Sequence, residues 1–111
     1  ENARQMAEAG ADAIISHVGT TVGGSIGVTG ASCSMDEAVA RTNEIVAAAK
    51  AVNPDLFFLA HGGPINTPED VREVLEKADV HGFVGASSLE RMGVEESLTN
   101  LTREFKKLTI K

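Results

Sequence analysis

Apolar and polar positions divide the chain into short apolar runs and longer stretches with helical spacing. Three apolar runs, at residues 11–18, 56–60 and 82–86, are each followed by a loop of small residues and then by a helix-like stretch. A strand, a loop and a helix in this order form the βα unit of parallel α/β folds. The pattern therefore predicts three βα units that share one parallel sheet.

Two of the predicted helices begin with recognisable capping residues. Ser34 and Glu37 have the spacing of a capping box, and the helix that they begin is predicted to run to about residue 52. Thr67 is the predicted cap of the next helix, and Pro68 occupies its first position. The apolar face predicted for this second helix consists of Val71, Val74, Leu75 and Ala78.

Helical patterns also stand at both ends of the chain. Residues 2–9 have helical spacing up to Gly10, and a helical turn at 88–92 precedes an amphipathic helix at 94–108. Because the chain opens within a helical pattern, we expect it to be the later part of a longer protein. The side chains predicted to face inward on the last helix are Leu98, Leu101, Phe105 and Leu108.

The second predicted strand is apolar at every position, which is typical of a strand buried on both faces of a helix-covered parallel sheet. Three units alone form either a small open sheet or part of a closed barrel, which needs about 250 residues. We favour the second alternative. The predicted fold class is α/β, with residues 1–111 forming the C-terminal three βα units of a single (β/α)8 TIM-barrel domain.

Composition narrows the possible partners. The net charge is −6, the basic residues are scattered, and the aromatic residues are four Phe without Trp or Tyr, so nucleic acid is not an expected partner. No apolar run approaches the ~18 residues of a membrane span, and a membrane partner is not expected either. A lone cysteine, Cys33, excludes an internal disulfide and favours a cytoplasmic location.

Two histidines stand where parallel α/β proteins place functional groups. His17 and His61 both lie at the C-terminal end of a predicted strand. Each is a candidate for acid–base catalysis, metal ligation or phosphate binding, and the alternative is a hydrogen bond to a neighbouring loop. His81 precedes its strand at the opposite end, so we interpret it as structural.

The loops after the strands are candidate anion sites. Glycine allows close approach of backbone N–H groups to an anion, although many glycine loops are only flexible or tightly turned. The loop after the last strand opens a short helix, whose N–H groups favour anions, and the alternative there is simple N-capping by a serine. The candidate anion-binding residues are Gly23 and Gly24 in the loop at 19–27, then Gly62, Gly63, Gly85, Ala86, Ser87 and Ser88.

Three further side chains have alternative interpretations. Glu90 and Arg91 form an ion pair that locks the short helix, or Arg91 supplies charge to the ligand, and we favour the first. Cys33 lies ahead of a helix N-terminus, which can activate a thiol. A catalytic role for this thiol is the less favoured alternative.

Three motifs in order resemble those of a known family. These are H-x-G-x-T-x-G-G-x-I-G at 17–27, H-G-G-P-I at 61–65 and G-A-S-S-x-E-R at 85–91. Together they resemble the phosphoenolpyruvate hydrolase-like family, also described as a predicted signal-transduction TIM barrel. The resemblance implies a barrel that handles a phosphoenolpyruvate-like oxo-acid. It also implies Mg²⁺ held by carboxylates, and since no Asp or Glu here ends a predicted strand, such ligands would lie outside this chain.

Three functions remain open at this stage. The first is an enzyme of the hydrolase or lyase class that acts on a small phosphorylated or carboxylated oxo-acid, with His17 and His61 as its catalytic residues. The second is a non-catalytic barrel that senses the same small anion in signal transduction. The third is a scaffold or homo-oligomerisation module that uses the helix at 94–108.

Overall fold

The computed structural model describes residues 1–25, 29–30 and 33–108 of the chain. Its elements follow the predicted order of βα units. The remaining part of the predicted glycine loop, at 26–27, lies outside the described residues. The helices and strands, in chain order, are α1 (Asn2–Glu8), β1 (Ala13–His17), α2 (Met35–Lys50), β2 (Phe57–His61), α3 (Pro68–Lys77), β3 (Gly82–Phe83), α4 (Ser87–Glu90) and α5 (Met92–Lys106).

The three strands form one parallel sheet in the order β1-β2-β3. β1 and β2 pair along their whole length, from Ala13 opposite Phe57 to His17 opposite His61. β3 pairs with β2 only through Gly82 and Phe83. The third strand is thus shorter than the 82–86 predicted, because after Phe83 the chain turns toward α4 and makes only one more strand-like bond, from the Val84 N–H to the Ala60 carbonyl.

The predicted capping box at Ser34 is present, and Thr67 caps its helix as predicted, as part of a second capping box. The Ser34 hydroxyl accepts from the Glu37 N–H while the Glu37 carboxylate accepts from the Ser34 N–H. Thr67 and Asp70 make the same reciprocal pair ahead of Pro68. These contacts satisfy N–H groups that have no partner within the helix, which is why the sequence signal fixes both helix starts.

The helices cover one face of the sheet and leave the other uncovered. Ile14, Ser16, Phe58 and Ala60 are buried on the covered face, where they join apolar side chains of α1, α2 and α3 in the hydrophobic core. On the alternate positions, Ile15 is 50% and Phe57 52% exposed. The expectation that the second strand is buried on both faces is therefore wrong for this chain. No helix in its described part packs on the second face, although the ring of His81 stacks on Phe57 at one end of the sheet.

The last helix also departs from the prediction. α5 begins at Met92 rather than 94 and has no buried residue, and the chain extends to 70 Å along its longest axis. Its exposed apolar side chains, Val94, Leu98, Leu101 and Phe105, are between 52% and 62% exposed, because α5 contacts α4 and the glycine loop rather than the sheet. The residues predicted to face inward that are exposed here are Leu98, Leu101, Phe105 and Leu108, and Leu75 of α3 is also partly exposed.

A buried pair of hydroxyls joins the sheet to α2. Ser16 of β1 and Thr42 of α2 are 2% and 0% exposed, and their hydroxyl oxygens are 2.9 Å apart. A hydroxyl buried in an apolar core without a partner costs ~1–3 kcal/mol, whereas removal of both partners can be nearly neutral. Any shift of α2 that broke this bond would leave two buried hydroxyls unpaired, and the free-energy cost of that change holds α2 in place on the sheet.

We expect Thr42→Val to lower the free energy of unfolding by ~1–3 kcal/mol, because it leaves the Ser16 hydroxyl unpaired. The double variant Ser16→Ala/Thr42→Val should lose less than the sum of the two single changes. Urea denaturation of the full-length protein and its variants measures both effects. Thr102→Val, at an exposed position of α5, is the control and should change stability by less than ~0.5 kcal/mol. Strict additivity of the two single changes would contradict the interpretation.

Candidate functional site

His17 and His61 lie side by side at the C-terminal end of the sheet. They are direct register partners on β1 and β2, and their ring centroids are 5.0 Å apart in an edge-to-face arrangement of 62°. Both occupy the alternate strand positions that face away from the helices. The parallel register therefore brings together two side chains that are 44 positions apart, counted from 17 to 61.

The loops that follow the two histidines are packed directly against each other. The N–H of Gly63 donates to the carbonyl of Gly19 at 2.7 Å, and the N–H of Val22 donates to the carbonyl of Gly63 at 3.4 Å. Gly62 and Gly63 have φ of 81° and 59°. A Cβ on Gly62 would overlap the Gly19 carbonyl oxygen, so that position requires glycine for two reasons.

This packing assigns a structural role to glycines that were predicted to bind an anion. The Gly63 N–H already donates to Gly19, so it is not free for a ligand. The ring of His17 lies next to Gly62, with its Cε1 atom 3.8 Å from where a Cβ would be. The two glycines thus set the separation of the loops and, through it, the position of the histidine pair.

Each histidine is held by one backbone hydrogen bond. The Nδ1 atom of His17 accepts from the N–H of Gly19 at 3.3 Å, and the Nδ1 atom of His61 lies 2.7 Å from the carbonyl oxygen of Val84. Neither Nε2 atom has a hydrogen-bond partner within residues 1–25, 29–30 and 33–108. Both histidines thus have the loop bonds of the structural alternative, and both keep one ring nitrogen for a ligand.

The third loop brings a helix start to the same end of the sheet. Gly85–Ser88 follows the bond between Val84 and β2, and Ala86, not a serine, is the N-cap of α4. No side chain caps this helix, so the alternative of N-capping by serine is wrong. Within the described chain, the N–H groups of Ala86, Ser87 and Ser88 have no protein acceptor, and they stay available to an anion.

The predicted ion pair between Arg91 and its neighbour Glu90 is not formed. The guanidinium of Arg91 binds Glu95 one helical turn on, at 2.9 Å, and also donates to the carbonyl of Gly23 at 3.0 Å. The Glu95 carboxylate in turn accepts from the N–H of Ser25 at 2.7 Å and from its hydroxyl at 3.1 Å. Successive residues of a helix point in different directions while residues four apart face each other, which explains the partner.

These contacts form what we call the loop clamp, consisting of Gly23, Ser25, Arg91 and Glu95. The clamp ties the glycine loop to the start of α5, and Gly24 fits beneath it because a Cβ there would overlap the guanidinium and the carboxylate. The N–H of Ser25, and after it the guanidinium of Arg91, hold the pKa of Glu95 below its usual 4.5. The nearest atoms to Gly23 and Gly24 belong to α5 and its flank, not to the histidines.

Ser25 and Glu95 are not among the residues that the sequence predicts for the site. The only signal available was the spacing of Arg91 and Glu95, which places opposite charges four residues apart on a helix. The contact with Ser25 bridges 70 positions of sequence, and no periodic pattern carries such information.

Two other candidates have structural partners. The buried Cys33 thiol donates to the Val18 carbonyl at 3.5 Å, so it belongs to the core rather than to the site. His81 accepts from the N–H of Phe58 at 3.0 Å and stacks on the Phe57 ring, as expected for a structural histidine at the opposite end of the sheet.

The described residues do not fit the Mg²⁺ that the family resemblance implies. Mg²⁺ prefers carboxylate oxygens and water, yet the described part of the chain contains no group of three or more His, Cys, Asp or Glu arranged to hold a metal ion. Glu95, the carboxylate of the loop clamp, is already occupied by three donors. A cleft of about 820 Å³ along the free edge of β1 reaches His17, but its other lining residues are mostly apolar.

Fold and site together define a parallel α/β domain with polar side chains at the C-terminal ends of its strands. The sequence pattern of the family described as phosphoenolpyruvate hydrolase-like matches residues 1–108, so the chain belongs to this family. This confirms the resemblance seen in the three motifs. No helix within the described ranges is long and apolar enough to cross a membrane.

Two tomato proteins are among the relatives of this chain. It is 44% identical to the ToMV susceptible protein tm-1(GCR26) of Solanum lycopersicum over 99% of its length and 15% of that protein. It is 43% identical to the ToMV resistance protein Tm-1(GCR237) of the same species, with the same coverage of 99% and 15%. The chain thus spans about 15% of the length of the curated relatives that it matches.

We expect Gly62→Ala to destabilise the protein more than a glycine replacement in open space. The change adds a clash with the Gly19 carbonyl to the strain of positive φ. The matched control is Gly10→Ala, at φ of 86° with nothing within 4 Å, which isolates the strain alone at ~1–2 kcal/mol. Urea denaturation should show at least ~1 kcal/mol of additional loss for Gly62→Ala. Equal losses would mean that the two loops do not constrain each other.

We expect acid to open the loop clamp. Because the pKa of Glu95 is lowered in the folded protein, its stabilisation is complete well above pH 4.5 and is lost as the pH falls through the lowered value. Hydrogen exchange at the Ser25 amide, corrected for the intrinsic pH dependence, should therefore accelerate in acid, and Glu95→Gln should accelerate it already at pH 7. Glu96→Gln, at the exposed neighbouring position, is the control. Unchanged protection of Ser25 in Glu95→Gln would show that the clamp does not hold the loop.

Proposed function

We propose that this chain forms the C-terminal three βα units of a (β/α)8 barrel that acts on a small phosphorylated or carboxylated oxo-acid. The observation that carries the proposal is the adjacent pair His17 and His61, held at the strand ends on the uncovered face of the sheet. Family membership supports the class of ligand, since the family is described as phosphoenolpyruvate hydrolase-like.

The uncovered face supports the barrel. In a closed barrel the face away from the helices becomes the packed interior, which is filled by bulky side chains from the strands. Ile15, Phe57 and Leu59 occupy these positions here and are exposed or half-buried in this chain. Exposed side chains of this kind in a row across a sheet are costly in water, and further βα units would cover them.

The charge distribution favours a ligand bound by neutral donors. The chain carries a net charge of −6, which opposes the approach of an anion. Arg91 does not offset this locally because Glu95 neutralises it. Attraction to an anion then rests on the N–H groups of Ala86, Ser87 and Ser88 and on the histidines. Such fixed donors stabilise enolate or phosphoryl charge without reorganising.

Calorimetric titration of the full-length protein with phosphoenolpyruvate and pyruvate, with and without Mg²⁺, tests the proposal. We expect binding that His61→Ala weakens about tenfold or more, which corresponds to ~1.4 kcal/mol. Ser87→Ala removes a hydroxyl but keeps the Ser87 N–H, so it should weaken binding less. Ser97→Ala, the same change on the exposed side of α5, should leave binding unchanged. The absence of binding, or equal affinity in all variants, would remove this site from the proposal.

Measurement of phosphate and pyruvate release separates an enzyme from a sensor. Turnover that His61→Ala abolishes supports the enzyme. Tight binding without turnover would overturn the enzyme and support the alternative, a barrel that senses the ligand for signal transduction. Cytoplasmic location and homo-oligomerisation through α5 stay predictions from the sequence.

A further inference from the structure

The two histidines are held in opposite tautomers. The partner of His61 is a carbonyl, which only accepts, so the Nδ1 atom of His61 must carry the proton in that bond. The partner of His17 is a backbone N–H, which only donates, so the Nδ1 atom of His17 must offer a lone pair. In the neutral rings, His61 therefore has a free lone pair on Nε2, and His17 has an N–H there.

We propose that His17 and His61 act as a matched donor–acceptor pair, with His61 as the proton acceptor and His17 as the donor to the oxygen on which negative charge develops. This inference deepens the proposed function and rests on it. It assigns different roles to two side chains whose sequence contexts are alike. Each histidine ends a strand and is followed by a glycine, either directly, as after His61, or one residue later, as after His17.

Protonation distinguishes the two rings further. A second proton on His61 goes to Nε2 and leaves the bond to the Val84 carbonyl intact. A second proton on His17 must go to Nδ1, where it would face the N–H of Gly19 and break that bond. The hydrogen-bond geometry therefore identifies Nε2 of His61 as the atom that takes up a proton without the loss of a bond.

The arrangement fits a small oxo-acid that can form an enolate. The carbon next to the ketone of the ligand loses a proton to Nε2 of His61. The electrons of the C–H bond form a C=C bond to the carbonyl carbon, and the π electrons of the C=O bond move to the oxygen. His17 donates its Nε2–H to that oxygen and stabilises the enolate charge. Return of the proton from His61 regenerates the neutral pair, so the step needs no other reactant.

A metal site made by the two Nε2 atoms is the competing interpretation. A histidine that binds a metal usually donates its other N–H to a carbonyl or carboxylate, which matches His61. His17 has the opposite arrangement, because its Nδ1 accepts and its Nε2 carries the proton. A metal would need His17 to exchange tautomers and lose its bond to Gly19. The geometry favours the donor–acceptor pair.

The tautomers can be measured without a ligand. Full-length protein with ¹⁵N-labelled histidine is studied by long-range ¹H–¹⁵N NMR at a pH where the rings are neutral, and His17→Gln and His61→Gln assign the signals. We expect protonated Nδ1 in His61 and protonated Nε2 in His17. His81, whose Nδ1 accepts from Phe58, is the internal control and should also show protonated Nε2. The same tautomer in both His17 and His61, or their reversal, would overturn the pairing.

Exchange of the methyl protons of pyruvate in D₂O tests the chemistry. His61→Gln should slow the exchange by ~10²-fold or more, the usual effect of losing a general base. His17→Gln, which keeps an N–H donor, should be less impaired than His17→Ala. If the tautomers are as expected but the wild type exchanges no protons, the enolising role and the proposed oxo-acid chemistry both fail. If His61→Gln exchanges as fast as the wild type, only the assignment of the base fails.

The same labelled sample also tests the competing interpretation, a metal site at the two histidines. Addition of Zn²⁺ should leave the two tautomers unchanged at stoichiometric concentration. Conversion of His17 to the tautomer with protonated Nδ1, together with loss of the Nε2–H signal, would overturn the donor–acceptor pair and support a two-histidine metal site.

Discussion

The rest of the site depends on the close approach of two loops, where the N–H of Gly63 meets the carbonyl of Gly19 at 2.7 Å. This contact continues the pairing of β1 and β2 beyond the last strand residues, because the Val18 N–H also donates to the His61 carbonyl. It is possible only with glycine at two consecutive positions of positive φ. Since His17 and His61 immediately precede these loops, their separation is a consequence of backbone packing rather than of any contact between the rings.

The elements with local signals were predictable from the sequence. The two capping boxes fixed the starts of α2 and α3, because their hydrogen bonds lie within four residues of chain. The parallel pairing followed from the order of strands and helices. The exposure of Phe57 and of the apolar side chains of α5 was not predictable. An apolar pattern indicates that a surface can be buried, but it does not show which other element covers that surface. A face of a strand and a face of a helix that the described residues leave uncovered still have the sequence of buried elements.

Some residues of the candidate site were predictable from the sequence and others were not. The positions of His17 and His61 were predicted correctly, because parallel strands bring their C-terminal ends to one edge of the sheet. The roles of Gly62 and Arg91 were not predictable. A glycine looks the same in the sequence whether it allows a ligand to approach or two loops to pack, so the role of Gly62 could not be read from it. The pairing of Arg91 with Glu95 depends on helix geometry and on Ser25, which is distant in the sequence. Contacts across long sequence separations are set by tertiary structure alone.

The loop clamp and the histidine pair separate two electrostatic tasks at one end of the sheet. In the clamp, opposite charges and backbone dipoles neutralise one another, so the clamp orders the glycine loop without adding net positive charge at the strand ends. At the histidines, each ring uses one nitrogen for a backbone bond and leaves the other to the proposed ligand. A site whose fixed charges are already paired attracts an anion weakly in the ground state. It responds more strongly once charge develops on an oxygen beside a fixed N–H, and that difference between ground and transition state is what accelerates a reaction.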